Sequence, residues 1–83
     1  MEKDKTPQEL PGWGHEEMAA HCTETLLRED IGGCWLSVSA TDAGVFAWKL
    51  SRPDLQLMGL GYDLEDAYAF ALKVYAEYMQ EVA

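Results

Sequence analysis

Residues 63–82 constrain the fold more than any other stretch, because their apolar side chains recur with a helical period. At about 100° per residue these side chains share one broad arc, which includes the row Tyr68, Tyr75 and Tyr78. Asp63 is placed as an N-cap, since its carboxylate can accept from the free backbone N–H groups of the first turn. We therefore predict an amphipathic helix about 30 Å long at ~1.5 Å per residue, which needs a broad apolar partner.

Three short segments ahead of that helix alternate between apolar and polar residues, which is typical of β-strands. They are residues 34–39, 45–50 and 55–60. Gly44 lies in the first connection and is free to take a positive φ. Gly59 and Gly61 indicate either a bulge or the close approach of a helix backbone. The three segments predict an antiparallel meander.

Residues 15–29 are predicted to form a first helix, because Met18, Cys22 and Leu26 recur four residues apart. The pair Gly32-Gly33 then permits a tight turn into the first strand.

The predicted fold is α+β: a helix, a three-stranded antiparallel meander and a second helix, with both helices packed on one face of the sheet. Residues 15–83 form this single domain, and residues 1–14 form a loosely ordered N-terminal arm that Trp13 anchors. The other sheet face is left uncovered and neutral. It carries three candidate partner-binding residues: Trp35, Ser37 and Lys49.

The net charge of −9 favours basic protein surfaces as partners and repels nucleic acid and anionic membranes. A double-stranded RNA-binding domain has a similar element order, but it needs basic residues to hold phosphates at the positions where this chain has Asp63, Glu65 and Asp66. We predict no direct nucleic-acid binding. We also predict no membrane span, because no apolar run approaches ~20 residues. The charged N-terminus shows no secretory signal, so we expect a cytoplasmic protein with reduced thiols.

No combination of residues indicates a reactive centre. His15, His21, Cys22 and Cys34 lack the paired short spacing of zinc ligands. Both cysteines fall on predicted buried faces, and buried thiols are usually inert. We therefore expect no metal, no cofactor and no enzymatic activity.

The pattern resembles small phage proteins of the phage ABA-sandwich type. The matching parts are a leading helix and residues 33–38, 46–49, 63–67 and 70–72. The resemblance implies an α/β fold and a phage setting, and it implies no catalytic residues, since the family has no established activity. The closing residues 61–67 are also similar to the strand-to-helix junction of antitoxins of the HicB kind.

We therefore expect a small acidic binding protein, encoded by a phage, that binds and inhibits a host protein or nucleoprotein complex in the host cytoplasm. This chain is similar to anti-CRISPR proteins in size and acidity only. Two surfaces are candidates: the sheet face around Trp35, and an acidic helical layer. The layer comprises Glu16, Glu17, Glu24, Glu65, Asp66 and Glu77. The alternative is a structural or accessory phage protein that self-associates through the open sheet face, for example as a homodimer.

Overall fold

The computed structural model describes the backbone of residues 10–82 and the side chains of residues 10–78. In this part of the chain the elements are α1 (His15–His21), β1 (Cys22–Ile31), β2 (Cys34–Thr41), β3 (Phe46–Arg52), β4 (Leu55–Gly61) and α2 (Leu64–Val82). The strands form one antiparallel sheet in the order β1-β2-β3-β4. The chain is α+β, but the predicted three-stranded sheet is wrong, because β1 adds a fourth strand. The first nine positions of the predicted arm lie outside the described residues.

β1 occupies most of the segment that was predicted as the first helix. Its pairing with β2 shifts register between Cys22 and Glu24 and again between Thr25 and Leu27. Bulges of this kind interrupt the period of two that identifies a strand. Leu26 falls in the second irregularity and is 42% exposed. The four-residue spacing of Met18, Cys22 and Leu26 therefore resembled the apolar face of a helix, but only residues 15–21 are helical.

The turn between β1 and β2 confirms the role predicted for the glycine pair. Gly32 and Gly33 have φ values of +62° and +83°. Two positive φ values in a two-residue hairpin loop match the twist of the flanking strands. The Gly33 N–H donates to Asp30 Oδ1 at 3.1 Å. Gly44, in the next connection, also has the predicted positive φ, +82°.

α2 covers one face of the sheet, which we call the α2 face, and this packing forms the main core. Leu36 and Val38 of β2 are fully buried there, and full burial of such a side chain stabilises the fold by about 1.5–3 kcal/mol. From α2, the small residues Ala67 and Ala71 meet them. Asp63 is the N-cap of α2, as predicted, and its carboxylate accepts from the Asp66 N–H at 2.7 Å.

α1 packs on the opposite face, which we call the α1 face, so the prediction that both helices share one face is wrong. Met18 lies against Val45, Ala47 and Leu60 in a second apolar cluster, which Trp13 also joins. The physical reason is that β1 follows α1 without a loop and that α2 already occupies the other face. The indole of Trp13 stacks on the His21 ring, with 4.1 Å between the ring centroids.

Gly59 lets the indole of Trp48 lie directly on β4. The two residues are partners across β3 and β4. A Cβ atom built at Gly59 would lie 2.6 Å from Trp48 Nε1. The register of β4 shows no shift, so the predicted bulge is absent. At Gly59 the approaching group is an indole and not the predicted helix backbone. At Gly61 the approaching group is the helix backbone of Ala67, as predicted.

The close contact at Gly59 predicts a stability effect. The substitution Gly59→Ala should lower the free energy of unfolding by about 1–3 kcal/mol, because the new methyl group forces Trp48 out of its position. Chemical denaturation measures the change. The matched control is Gly12→Ala, where a Cβ meets nothing within 4 Å and the effect should stay within about 0.5 kcal/mol. Equal denaturation midpoints for the two variants would contradict the packing described here.

Candidate functional site

The part of the α1 face that α1 leaves open forms a groove around Trp35. We call it the Trp35 groove. Its volume is about 400 Å³, and its lining residues come from β1, β2 and β3: Thr25, Arg28, Trp35, Ser37, Lys49 and Ser51. All three residues predicted for the sheet-face site, Trp35, Ser37 and Lys49, lie together in it. The structure therefore brings together the predicted sheet-face set, and it adds residues from β1.

The register of the sheet sets the order of the side chains in the groove. Ser37 pairs with Arg28 on one side and with Lys49 on the other. Two cations therefore flank one small hydroxyl residue, and their backbones are about 10 Å apart because neighbouring strands lie ~4.8 Å apart. In the next row, Trp35 pairs with Ser51. The short side chains of Ser37 and Ser51 form the floor of the groove, between the longer side chains that line it.

Arg28 and Trp35 form a stacked pair at one end of the groove. The guanidinium carbon lies 4.7 Å from the centre of the indole ring. Such a cation–π contact is worth about 0.5–1 kcal/mol at an exposed site and favours this position of the arginine. Trp35 nevertheless remains 47% exposed. A half-exposed indole beside an arginine is typical of the residues that dominate protein interfaces.

The groove is a basic spot within the described part of an acidic chain. The described part of the chain contains four Lys and Arg residues, and two of them, Arg28 and Lys49, line the groove. No acidic residue lines it. Asp30 lies in the Trp35 row, but its carboxylate accepts from the Gly33 N–H in the turn. The groove therefore has a local positive charge although the whole chain is at −9.

A second cavity of about 230 Å³ extends the groove towards α1. It shares Thr25, Ser37 and Lys49 with the first. Its further lining includes Ala19, Cys22, Ala47 and Met58. We call this part the apolar end, because small and sulfur-containing side chains replace Arg28 and Trp35 in its lining and Lys49 is the one cation that remains. The open surface thus changes from cationic to apolar along its length.

The structure does not bring the six acidic candidates into one layer. Glu16 and Glu17 lie in α1, on one side of the sheet, and Glu65, Asp66 and Glu77 lie in α2, on the other. Glu24 lies on β1 and not on a helix. Glu17 also accepts from the Gly14 N–H at 3.0 Å, and Asp66 from the Tyr62 N–H at 2.9 Å. All six are exposed, but they form separate patches, because the two helices pack on opposite faces.

The histidines and cysteines are spread over different parts of the structure. Cys34 is buried under α2, whereas Cys22 lies half-buried on the α1 face, and both are free thiols. His21 Nδ1 lies 2.9 Å from Asp42 Oδ1. Among the residues that the structure describes, no three His, Cys, Asp or Glu side chains are grouped so that they could hold a metal ion.

Thr25, Arg28 and Ser51 were missed as site residues because β1 was taken for part of a helix and because the second strand was predicted to end before Ser51. The sequence contains a signal that identifies β1. Gly32-Gly33 between Ile31 and Cys34 is the pattern of a two-residue hairpin loop. Such a loop requires a strand on each side, which places Arg28 on a strand beside Ser37.

Comparison with protein-family models, curated proteins and solved structures found no match to this chain. Neither helix in the described residues combines the length and the apolar character that crossing a membrane requires. The functional assignment therefore depends on the geometry and charge of the groove.

A hydrogen bond from α2 supports the strand that carries Arg28. The Tyr68 hydroxyl donates to Glu29 Oε1 at 2.9 Å. Glu29 is on the α2 face, whereas Arg28 beside it in sequence is on the α1 face. The hydrogen bond to Glu29, a smaller contribution from burial and the repulsion of the carboxylate all raise the pKa of Tyr68 above its usual value. The contact therefore ties β1, at the edge of the sheet, to the helix.

The raised pKa of Tyr68 predicts how this contact depends on pH. The phenol must keep its proton to donate, so the contribution to stability is intact below pH 10 and is lost as the pH rises through the raised pKa. Tyr68→Phe should therefore be less stable than the wild type at neutral pH, and the difference should shrink in the alkaline range. Denaturation at several pH values measures this. A difference that stays constant at high pH would show that the hydrogen bond contributes nothing.

Proposed function

We propose that this protein is a non-enzymatic binding protein that docks on a partner protein through the Trp35 groove. The observation that carries this proposal is the half-exposed Trp35 under a stacked arginine, in a groove that no other described element covers. Exposed aromatic and arginine side chains in a concave surface are the usual centres of binding energy. That the protein is encoded by a phage and inhibits a host complex stays a prediction.

The separation of the acidic residues favours the groove over the acidic surface as the docking site. A layer that imitates nucleic acid needs its carboxylates on one continuous surface, and here they are divided between both sides of the sheet. Self-association through the open face is also less favoured, since α1 and Trp13 cover part of that face. The groove offers the better combination of shape and chemistry.

Substitution in the groove tests the proposal. Trp35→Ser should weaken partner capture from a lysate of the host or source cell at least about tenfold, because truncation of a central interface aromatic costs about 2 kcal/mol or more. The matched control is Leu26→Ser, which removes an exposed apolar side chain outside the groove and should leave capture unchanged. Quantitative mass spectrometry of the captured proteins, with circular dichroism to confirm folding, provides the comparison.

The acidic surface is tested in parallel by the double variant Glu65→Gln and Glu77→Gln. These carboxylates make no described hydrogen bond that the fold would lose. If this variant abolishes capture while Trp35→Ser leaves it intact, the partner docks on the acidic helix and the groove proposal fails.

A further inference from the structure

Along its length, the groove has two chemically different subsites. At the Trp35 end, two cations and hydroxyl groups face an open space of about 400 Å³. At the apolar end, Ala19, Ala47 and Met58 line an adjoining space of about 230 Å³. A ligand that satisfies both must place a negative group and an apolar group a short distance apart.

The cationic subsite is suited to a single carboxylate. Arg28 and Lys49 approach from the two sides of Ser37, and neither makes an ion pair with a described acidic side chain. Arginine can hold a carboxylate with two hydrogen bonds, and charged hydrogen bonds of this kind are about twice as strong as neutral ones. The stack on Trp35 places the guanidinium before the ligand arrives, which reduces the cost of ordering it.

The distance between the subsites matches the repeat of an extended peptide. Ala47 and Lys49 are two residues apart on β3 and point to the same face. Their separation along the strand is therefore about 6.6–6.8 Å. In an extended ligand segment, side chains two residues apart have the same spacing and also point to one face. An acidic residue and an apolar residue two positions apart would therefore reach both subsites together.

From these observations we infer that the Trp35 groove binds an extended segment of the partner protein in which an acidic side chain and an apolar side chain are two residues apart. This inference rests on the proposed function and names the chemistry of the partner. The carboxylate of the acidic side chain accepts hydrogen bonds from Arg28, Lys49 and the Ser37 hydroxyl. The apolar side chain packs against Ala47 and Ala19.

The charge of the whole chain favours this ligand over a nucleic acid. A nucleic acid strand carries many phosphates, and its binding depends on the total field of the protein, which is at −9. A single carboxylate in the groove responds mainly to the nearest charges, because salt screens charges beyond about 8–10 Å. Nearby are two cations, Arg28 and Lys49, and one anion, Asp30, which is turned into the hairpin loop. A short protein segment with one acidic group is therefore accommodated where a polyphosphate is repelled.

Selection from a displayed library of random peptides, with the full-length chain as bait, tests the inference. The enriched peptides should contain Asp or Glu two positions from an aliphatic or aromatic residue. Binding of a synthetic copy should weaken about tenfold or more in Arg28→Gln and in Lys49→Gln, because each removes a charged hydrogen bond. The matched control Lys73→Gln makes the same charge change on α2, away from the groove, and should leave the affinity unchanged.

Different results would contradict the inference about ligand chemistry and the proposal that the groove is the docking site. If the enriched peptides lack acidic residues but still require Trp35, the inference fails and the proposed function stands. Peptides that bind Trp35→Ser as well as the wild type would overturn both, and so would a selection without enrichment. A fluorescent single-stranded oligonucleotide is the second probe. Lys49-dependent binding of this oligonucleotide that is tighter than that of the acidic peptide would also overturn the inference.

Discussion

The close approach of α2 to the sheet is the contact on which the rest of the structure depends. A Cβ atom at Gly61 would lie 2.6 Å from the backbone of Ala67, so the helix can begin here only because the strand ends in glycine. Ala67 and Ala71 keep the helix close, and Trp48 fills the remaining space below Phe70. The Trp48 Nε1 donor is buried without a described hydrogen-bond partner, at a cost of about 1–3 kcal/mol. Shape complementarity outweighs that cost at this position.

The position of α2 determines where the groove lies. Once α2 occupies one face, the short α1 and the segment before it must cover the other, and seven helical residues cover only part of it. The rest of that face stays open over β1, β2 and β3 and becomes the Trp35 groove. The contact between Tyr68 and Glu29 ties the edge strand to α2, which also positions Arg28 on the opposite face. The core on one side of the sheet thereby supports the candidate site on the other.

Local signals in the sequence predicted the elements that follow a regular period. α2, its Asp63 cap and three strands were placed correctly to within about two residues, because burial on one side imposes a period of 3.6 or 2 on them. β1 was missed because its two bulges break that period. The consequence extended to the site: Trp35, Ser37 and Lys49 were correctly grouped, but Arg28, which belongs to β1, was assigned to a helix.

By itself, the sequence determined the α+β class, the long helix with its cap, the glycine turns and the separation of Trp35 from the buried side of β2. These features depend on residues close in the chain, where spacing and backbone preference are sufficient. Only the tertiary structure decided that α1 and α2 lie on opposite faces and that the acidic residues form separate patches. It also decided that Arg28 lies over Trp35 and lines the same groove as Lys49. The first two outcomes depend on which sheet face is already occupied, which no local pattern shows. The place of Arg28 depends on the register of three strands, and the Gly32-Gly33 loop determines only the pairing of β1 with β2.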